Sequence, residues 1–242
     1  MTWKGFSVLC LLTAAVVTAQ GQTGAEFEEF MRNAGNASTL FRGAGASVYP
    51  ISYNGNYYWG SPDFETGSVT FNGRWYGPLA VNINADRQEL LIKQGRDNVE
   101  ISIPCDLVDN ITKGHRSFLN LYNAGFDVPK GFYEVLYDGD ARLFKRVDKV
   151  LKSDANAQNG ISIGYNDPNF NPANPRYFQY SVRYYLFKDG SLYILSGKND
   201  VWKYFTSEQK RAVKSQLRRH NLNSLDRERF YIEVLSRIED GK

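Results

Sequence analysis

The chain has 242 residues, 42% hydrophobic and 23% charged, an ordinary globular composition with enough apolar residues to bury a core in one large or two small domains. Its formal charge of +3 is too close to neutral to imply a polyanionic partner, and no nucleic acid is expected to bind. Two cysteines and two histidines are too few for a disulfide framework and a poor endowment for a zinc site.

The first residues fall into three zones: one cation at Lys4, an apolar run from Phe6 to Val17, and the small residues Val17-Thr18-Ala19. This is the anatomy of a secretory signal peptide over residues 1–19, so cleavage near Ala19 and export to the periplasm or the extracellular side are expected. The apolar run is shorter than the roughly 20 residues of a membrane span. Cys10 lies mid-run ahead of Leu11 and Leu12, which is not where a lipidated first residue of a mature chain would stand. Loss of the leader would remove Cys10 and Lys4, leaving Cys105 as the single thiol and a charge of +2.

Residues 20–48 read as an N-terminal helix and a linker. In "AEFEEFMRN", Phe27, Phe30 and Met31 recur at helical spacing. The following "NAGNASTLFRGAGASVYP" is rich in glycine and alanine and has no period.

Residues 49–242 read as a single antiparallel β domain. The period from Tyr49 to Ser196 is mostly two, with strands expected at about 67–71, 74–84, 88–94, 98–104, 115–122, 131–138, 141–151, 177–187 and 190–196. Asn72-Gly73, Asp138-Gly139 and Asp189-Gly190 stand between these runs, and such dipeptides favour tight hairpins because both positions tolerate positive φ. Crossover helices, which parallel strands need, are missing. Sixteen tyrosines and 15 phenylalanines suit packed strands. "SDANAQNGISIGYNDPNFNPANPR", dense in Asn, Pro and Gly, reads as a surface loop.

From about residue 198 the character becomes helical. Thr206 and Gln209 make a capping-box pattern ahead of Ala212, Val213, Gln216 and Leu217 on one face. A second helix, roughly Leu225 to Ile238, aligns Phe230, Tyr231, Val234, Leu235 and Ile238. The expected fold class is therefore mainly β (α+β): a bent antiparallel meander sheet or open barrel with two C-terminal helices packed on it.

The runs "FNGRWYGPLAVNINADRQELLIK", "GFYEVLYDGDARLFKRV" and "VRYYLFKDGSLYILSGKNDVWKYF", followed by the basic helix, resemble a group of secreted proteins of unknown function from Bacteroidota. The resemblance covers most of the mature chain in style and element order. It implies the architecture and no activity.

Four chemistries have partial motifs. "GISIG", Gly160 to Gly164, has the G-x-S-x-G form around Ser162, with Asp189 or Asp200 and then His220 in hydrolase order, but a proline-rich loop follows where the elbow needs a helix. Asp167, Asn169 and Asn171 begin like a calcium loop, yet Pro172 takes the glycine position and Phe178 the bidentate-acid position. Glu65, Glu89, Glu100 and Glu134 are acids on or near strands that could pair across a cleft only if the fold opposed two of them. The cations Lys210, Arg211, Lys214, Arg218 and Arg219 read as a solvated helix face that could also meet anionic lipid headgroups.

"YNGNYYWGSPDF" sets Tyr53, Tyr57, Tyr58 and Trp59 among Asn and Gly, and Trp75-Tyr76 follow on the first hairpin. Aromatic residues on a rigid sheet suit recognition, because they add contact area with little rotamer entropy to lose. The sequence therefore points to an exported, non-catalytic binding or interaction module of the cell envelope. Tyr57, Tyr58, Trp59, Trp75 and Tyr76 would contact a protein or glycan, with no catalytic residue, metal ligand or cofactor assigned. The alternative is a carrier holding an apolar ligand between the curved sheet and the C-terminal helices. A hydrolase centred on Ser162 is the third reading.

Overall fold

The computed structural model describes residues 39–46, 51–94, 99–121, 124–153, 174–219 and 224–241, together with Glu29, Tyr49 and Asn171. The expected leader, Phe27, Phe30 and Met31, the Gly160–Gly164 run with Ser162, Asp167, Asn169 and His220 lie outside the described residues, as do the side chains of Arg218 and Arg219.

Among the described residues eleven strands make one open antiparallel sheet: β1 (Ala44–Gly45), β2 (Glu65–Phe71), β3 (Arg74–Asn84), β4 (Glu89–Gln94), β5 (Val99–Pro104), β6 (Val108–Lys113), β7 (Arg116–Asn120), β8 (Phe132–Asp138), β9 (Arg142–Ser153), β10 (Arg176–Lys188) and β11 (Ser191–Leu195). Their order is β1-β5-β4-β3-β2-β6-β7-β8-β9-β10-β11. Two helices follow, α1 (Ser207–Arg219) and α2 (Arg227–Asp240). The chain forms two compact units. One comprises the residues up to Phe132 with Val147–Ser181, the other Tyr133–Arg146 with Val182–Lys242.

In the first unit β5 and β6 are four strand positions apart, about 19 Å across a flat sheet. Only a three-residue 3-10 turn, Cys105–Leu107, joins them, and even fully extended the link from Pro104 to Val108 reaches about 14 Å. The strands β5-β4-β3-β2-β6 must therefore curl, which brings their inner faces around Val69, Val81, Ile83, Ile92 and Ile111, all buried.

Two of the three expected hairpin turns have the predicted chemistry. Asn72 and Gly73 carry φ of 49° and 71°, and Asp189 and Gly190 carry 52° and 76°, each pair joining directly opposed residues. Asp138-Gly139 does not form such a turn: Tyr137 pairs with Leu143 and Asp138 with Arg142, so the loop is Gly139-Asp140-Ala141.

Two strands were not anticipated. β6 escapes the period-two pattern because its register against β2 shifts between Thr70 and Phe71, placing Asp109 as an extra residue between Val108 and Asn110. Its inward position Lys113 is fully buried and pairs with Glu65 at 2.9 Å. Residues 39–46, read as linker, instead pack: Leu40 and Phe41 are buried and Ala44–Gly45 pair with β5. Gly43 is needed at this approach, since a Cβ there would stand 2.6 Å from the Ser102 carbonyl oxygen.

The second unit packs α1, α2 and the 3-10 helix Lys198–Tyr204 around Leu143, Leu186, Leu195, Val201 and Trp202. The capping box at α1 is formed: Thr206 N donates to Gln209 Oε1 at 3.0 Å and Gln209 N to Thr206 Oγ1 at 3.3 Å. Val213 and Leu217 are buried but Ala212 and Gln216 are exposed, so the apolar stripe of α1 is narrower than its sequence suggested. All five expected residues of α2, from Phe230 to Ile238, are buried.

Candidate functional site

The segment around "YNGNYYWG" is fixed by its asparagines. Asn54 N donates to the Arg176 carbonyl at 2.8 Å, and its carbonyl accepts from Phe178 N at 3.0 Å. The Asn54 side chain donates to the carbonyls of Asn171 and Asn174 and accepts from Asn171 N at 2.8 Å. Two residues on, Asn56 Oδ1 accepts from Tyr58 N at 2.9 Å and from Lys149 Nζ at 2.7 Å. The end of the segment lies across β3: Ala85 N donates to the Tyr57 carbonyl and Trp59 N to the Ile83 carbonyl.

These anchors separate the five expected binding residues. Trp59 and Tyr76 are 3% and 2% exposed, with Trp59 set edge-on to Phe118 and Tyr76 to Phe71. Both are core residues, which corrects their assignment to a binding surface. Trp75 is half-buried beside Gly77, where an added Cβ would lie 2.7 Å from its ring. Tyr57 and Tyr58 are half-buried and belong to a continuous row of rings.

The row runs from Phe64 to Tyr58 (6.3 Å between centroids), Tyr57 (4.4 Å), Tyr49 (4.9 Å) and Tyr53 (5.8 Å). The Phe178 ring, fully buried, supports Tyr49, Tyr53 and Tyr57 from below at 5.2, 5.0 and 6.0 Å. A cation stands at each side: Lys93 Nζ is 4.5 Å from the Phe64 centroid and the Arg87 guanidinium 5.2 Å from that of Tyr49. Tyr57 and Tyr58 hydroxyls are 3.1 Å apart, and Tyr49 donates to Asp86. Burial, reinforced by those hydrogen bonds, pushes the phenols of Tyr49 and Tyr58 well above their ordinary range, so both stay neutral. The platform therefore presents apolar ring area and neutral hydroxyls side by side.

Tyr49 and Phe178 were not in the expected set. Tyr49 lies four residues ahead of Tyr53, outside the aromatic motif, and Phe178 arrives from β10, so no local pattern joins them to Tyr57.

The acids and cations of the other partial motifs that lie among the described residues make structural contacts. Glu65 pairs with Lys113 and Arg116, Glu89 accepts from Ser102 Oγ at 2.6 Å, and Glu134 meets Lys145 at 3.4 Å. Lys145 also binds Glu228 at 2.9 Å, a link between β8–β9 and α2 that spacing alone could not indicate. Asp189 is a turn residue paired with Lys188, and Asp200 Oδ2 accepts from Ser196 N and Gly197 N. On α1, Lys210 is half-buried while Arg211 and Lys214 are exposed, with the Lys214 ammonium 5.2 Å from the Trp202 centroid. Among the described residues no three His, Cys, Asp or Glu side chains group as a metal site, and no helix is long and apolar enough to cross a membrane.

The second unit contains a separate cleft of about 480 Å³ between the ends of two hairpins and the helices. The carrier reading required an apolar cavity at that place. The cleft is lined as much by Asp140, Lys188, Asp189 and Glu239 as by Phe205 and Leu235. Comparison with protein-family models, with curated proteins and with solved structures finds nothing that matches this chain.

Proposed function

We propose that this protein is an exported, non-catalytic glycan-binding module of the cell envelope, and that the platform Tyr49, Tyr53, Tyr57 and Tyr58 is its contact surface. The observation that carries this reading is the unbroken row of half-buried rings from Phe64 to Tyr53 over the buried Phe178. A pyranose alternates C–H faces with hydroxyls, and a tyrosine row held rigid by Asn54 and Asn56 matches that alternation at small entropic cost. Export is supported by the zones Lys4, Phe6–Val17 and Val17-Thr18-Ala19. Any contact with an anionic membrane through Lys210, Arg211, Lys214 and Arg218 would be electrostatic, because the apolar stripe of α1 at Val213 and Leu217 is already buried.

The test is affinity electrophoresis of the full chain through gels containing cell-envelope polysaccharides, comparing wild type with Tyr53→Ala/Tyr57→Ala. Retardation of the wild type by at least one polysaccharide, lost in the double variant with its circular dichroism unchanged, supports the reading. Equal mobility of the two proteins on every polysaccharide overturns it.

A further inference from the structure

The cleft of about 480 Å³ lies wholly within the second unit and shares no residue with the tyrosine platform. Its size is that of an ordinary small-molecule site. The apolar lining residues Ala141, Phe205, Leu235 and Ile238 are all buried, whereas Asp140, Asp189 and Thr206 are exposed and Tyr137, Lys188, Gln209 and Glu239 are half-buried. The site thus has an apolar floor and a polar rim.

The rim is unbalanced in charge, with three carboxylates against one ammonium. Lys188 is paired with Asp189, and its Nζ is 5.9 Å from the Phe205 centroid, so that cation is committed. Glu239 is held by Tyr137 and lies close over the backbone at Gly139. Tyr137 donates its hydroxyl to Glu239 Oε2, and a Cβ on Gly139 would stand 2.1 Å from the same oxygen. Glycine is therefore what lets the three-residue loop of β8 and β9 pass under this carboxylate. Burial, with the bond to Glu239 second, pushes the Tyr137 phenol up to about 12, which keeps it a donor.

An anionic ligand is the poorer fit. The first turn of α1 faces the cleft, but Thr206 and Gln209 have already spent their backbone donors on each other's side chains. We propose that this cleft binds an alkylammonium group: the chain lies on Phe205, Leu235 and Ile238, and the ammonium is received by Glu239 and Asp140. Each buried methylene contributes through the hydrophobic effect, and the ion pair adds charge-assisted hydrogen bonds.

The experiment is isothermal titration of the full chain with n-hexylammonium, hexanoate and hexanol, with Nα-acetyl-lysine methylamide as a fourth ligand. Saturable binding of hexylammonium, about tenfold or more tighter than hexanoate and hexanol, is expected. Glu239→Gln and Asp140→Asn should each weaken it about fivefold or more, while Lys188→Ala should strengthen it by removing the competing cation. Tighter binding of the lysine amide supports a peptide lysine as the natural occupant, and tighter binding of hexylammonium supports a free amine. The proposal is overturned if the three hexyl compounds bind alike, if none saturates by about 20 mM, a free energy weaker than about −2.5 kcal/mol, or if correctly folded Glu239→Gln and Asp140→Asn retain wild-type affinity. Weaker binding by Lys188→Ala would also overturn it.

Discussion

Lys149 Nζ donates to Asn56 Oδ1 at 2.7 Å, with the lysine 3% and the asparagine 8% exposed. The strand β9 thereby fastens the segment that carries Tyr57 and Tyr58, and it does so with a buried amine. Burial lowers the Lys149 pKa from 10.5 to about 8.

That depression makes stability depend on pH. Between about 8 and 10.5 the unfolded chain keeps this proton while the folded chain has released it, so stability rises with pH across that window. Urea denaturation at pH 7.5 and 9.5 should show wild type gaining about 1–2 kcal/mol relative to Lys149→Met. The comparison with the variant matters, because buried tyrosines such as Tyr58 act in the opposite direction above pH 10. Parallel behaviour of the two proteins would contradict the assignment.

Phe178→Ala should cost about 3–5 kcal/mol, the usual penalty for emptying a fully buried aromatic site. Because Tyr49, Tyr53 and Tyr57 rest on that ring, the near-ultraviolet circular dichroism of the tyrosines should fall with it. A loss under about 1 kcal/mol would mean that the platform does not depend on Phe178.

Glu65→Gln should be destabilising by about 3 kcal/mol, because it leaves the buried Lys113 ammonium without its carboxylate. Adding Lys113→Met should restore most of that loss, since the charge then disappears with its partner. An additive double variant would show that the two side chains are not coupled.

Gly67→Ala should prevent normal pairing of β2 with β6. The new Cβ would lie 1.9 Å from the Thr112 carbonyl oxygen, and backbone in the middle of a ladder cannot move aside. Gly45→Ala at the sheet edge meets nothing within 4 Å and should stay within about 0.5 kcal/mol of wild type. Thermal melts of the pair give the contrast directly, and equal melting temperatures would refute it.

Some features were legible because their causes are local. β3 occupies the expected 74–84, bounded by an Asn-Gly turn whose φ values come from those two residues alone. The capping box at Thr206 and the stripe of α2 from Phe230 to Ile238 are likewise written within one or two helical turns. β6 was not legible, since Asp109 interrupts its period only in relation to the register of β2. Asp138-Gly139 looked like the other turn dipeptides, yet its glycine answers to Glu239, a hundred residues away.

The candidate sites divide in the same manner. Tyr57 and Tyr58 were visible as an aromatic cluster, but whether an aromatic residue in that cluster faces solvent or core depends on which strand covers it. Bonds from Asn54 to Arg176 and from Trp59 to Ile83 made that choice, burying Trp59 and completing the platform with Tyr49 and Phe178. By itself the sequence determined the antiparallel sheet, its hairpins and the two C-terminal helices, because periodicity and turn chemistry act over a few residues. Only the tertiary structure decided which tyrosines share a surface and where carboxylates gather around an apolar floor, because those are set by contacts between segments far apart in the chain.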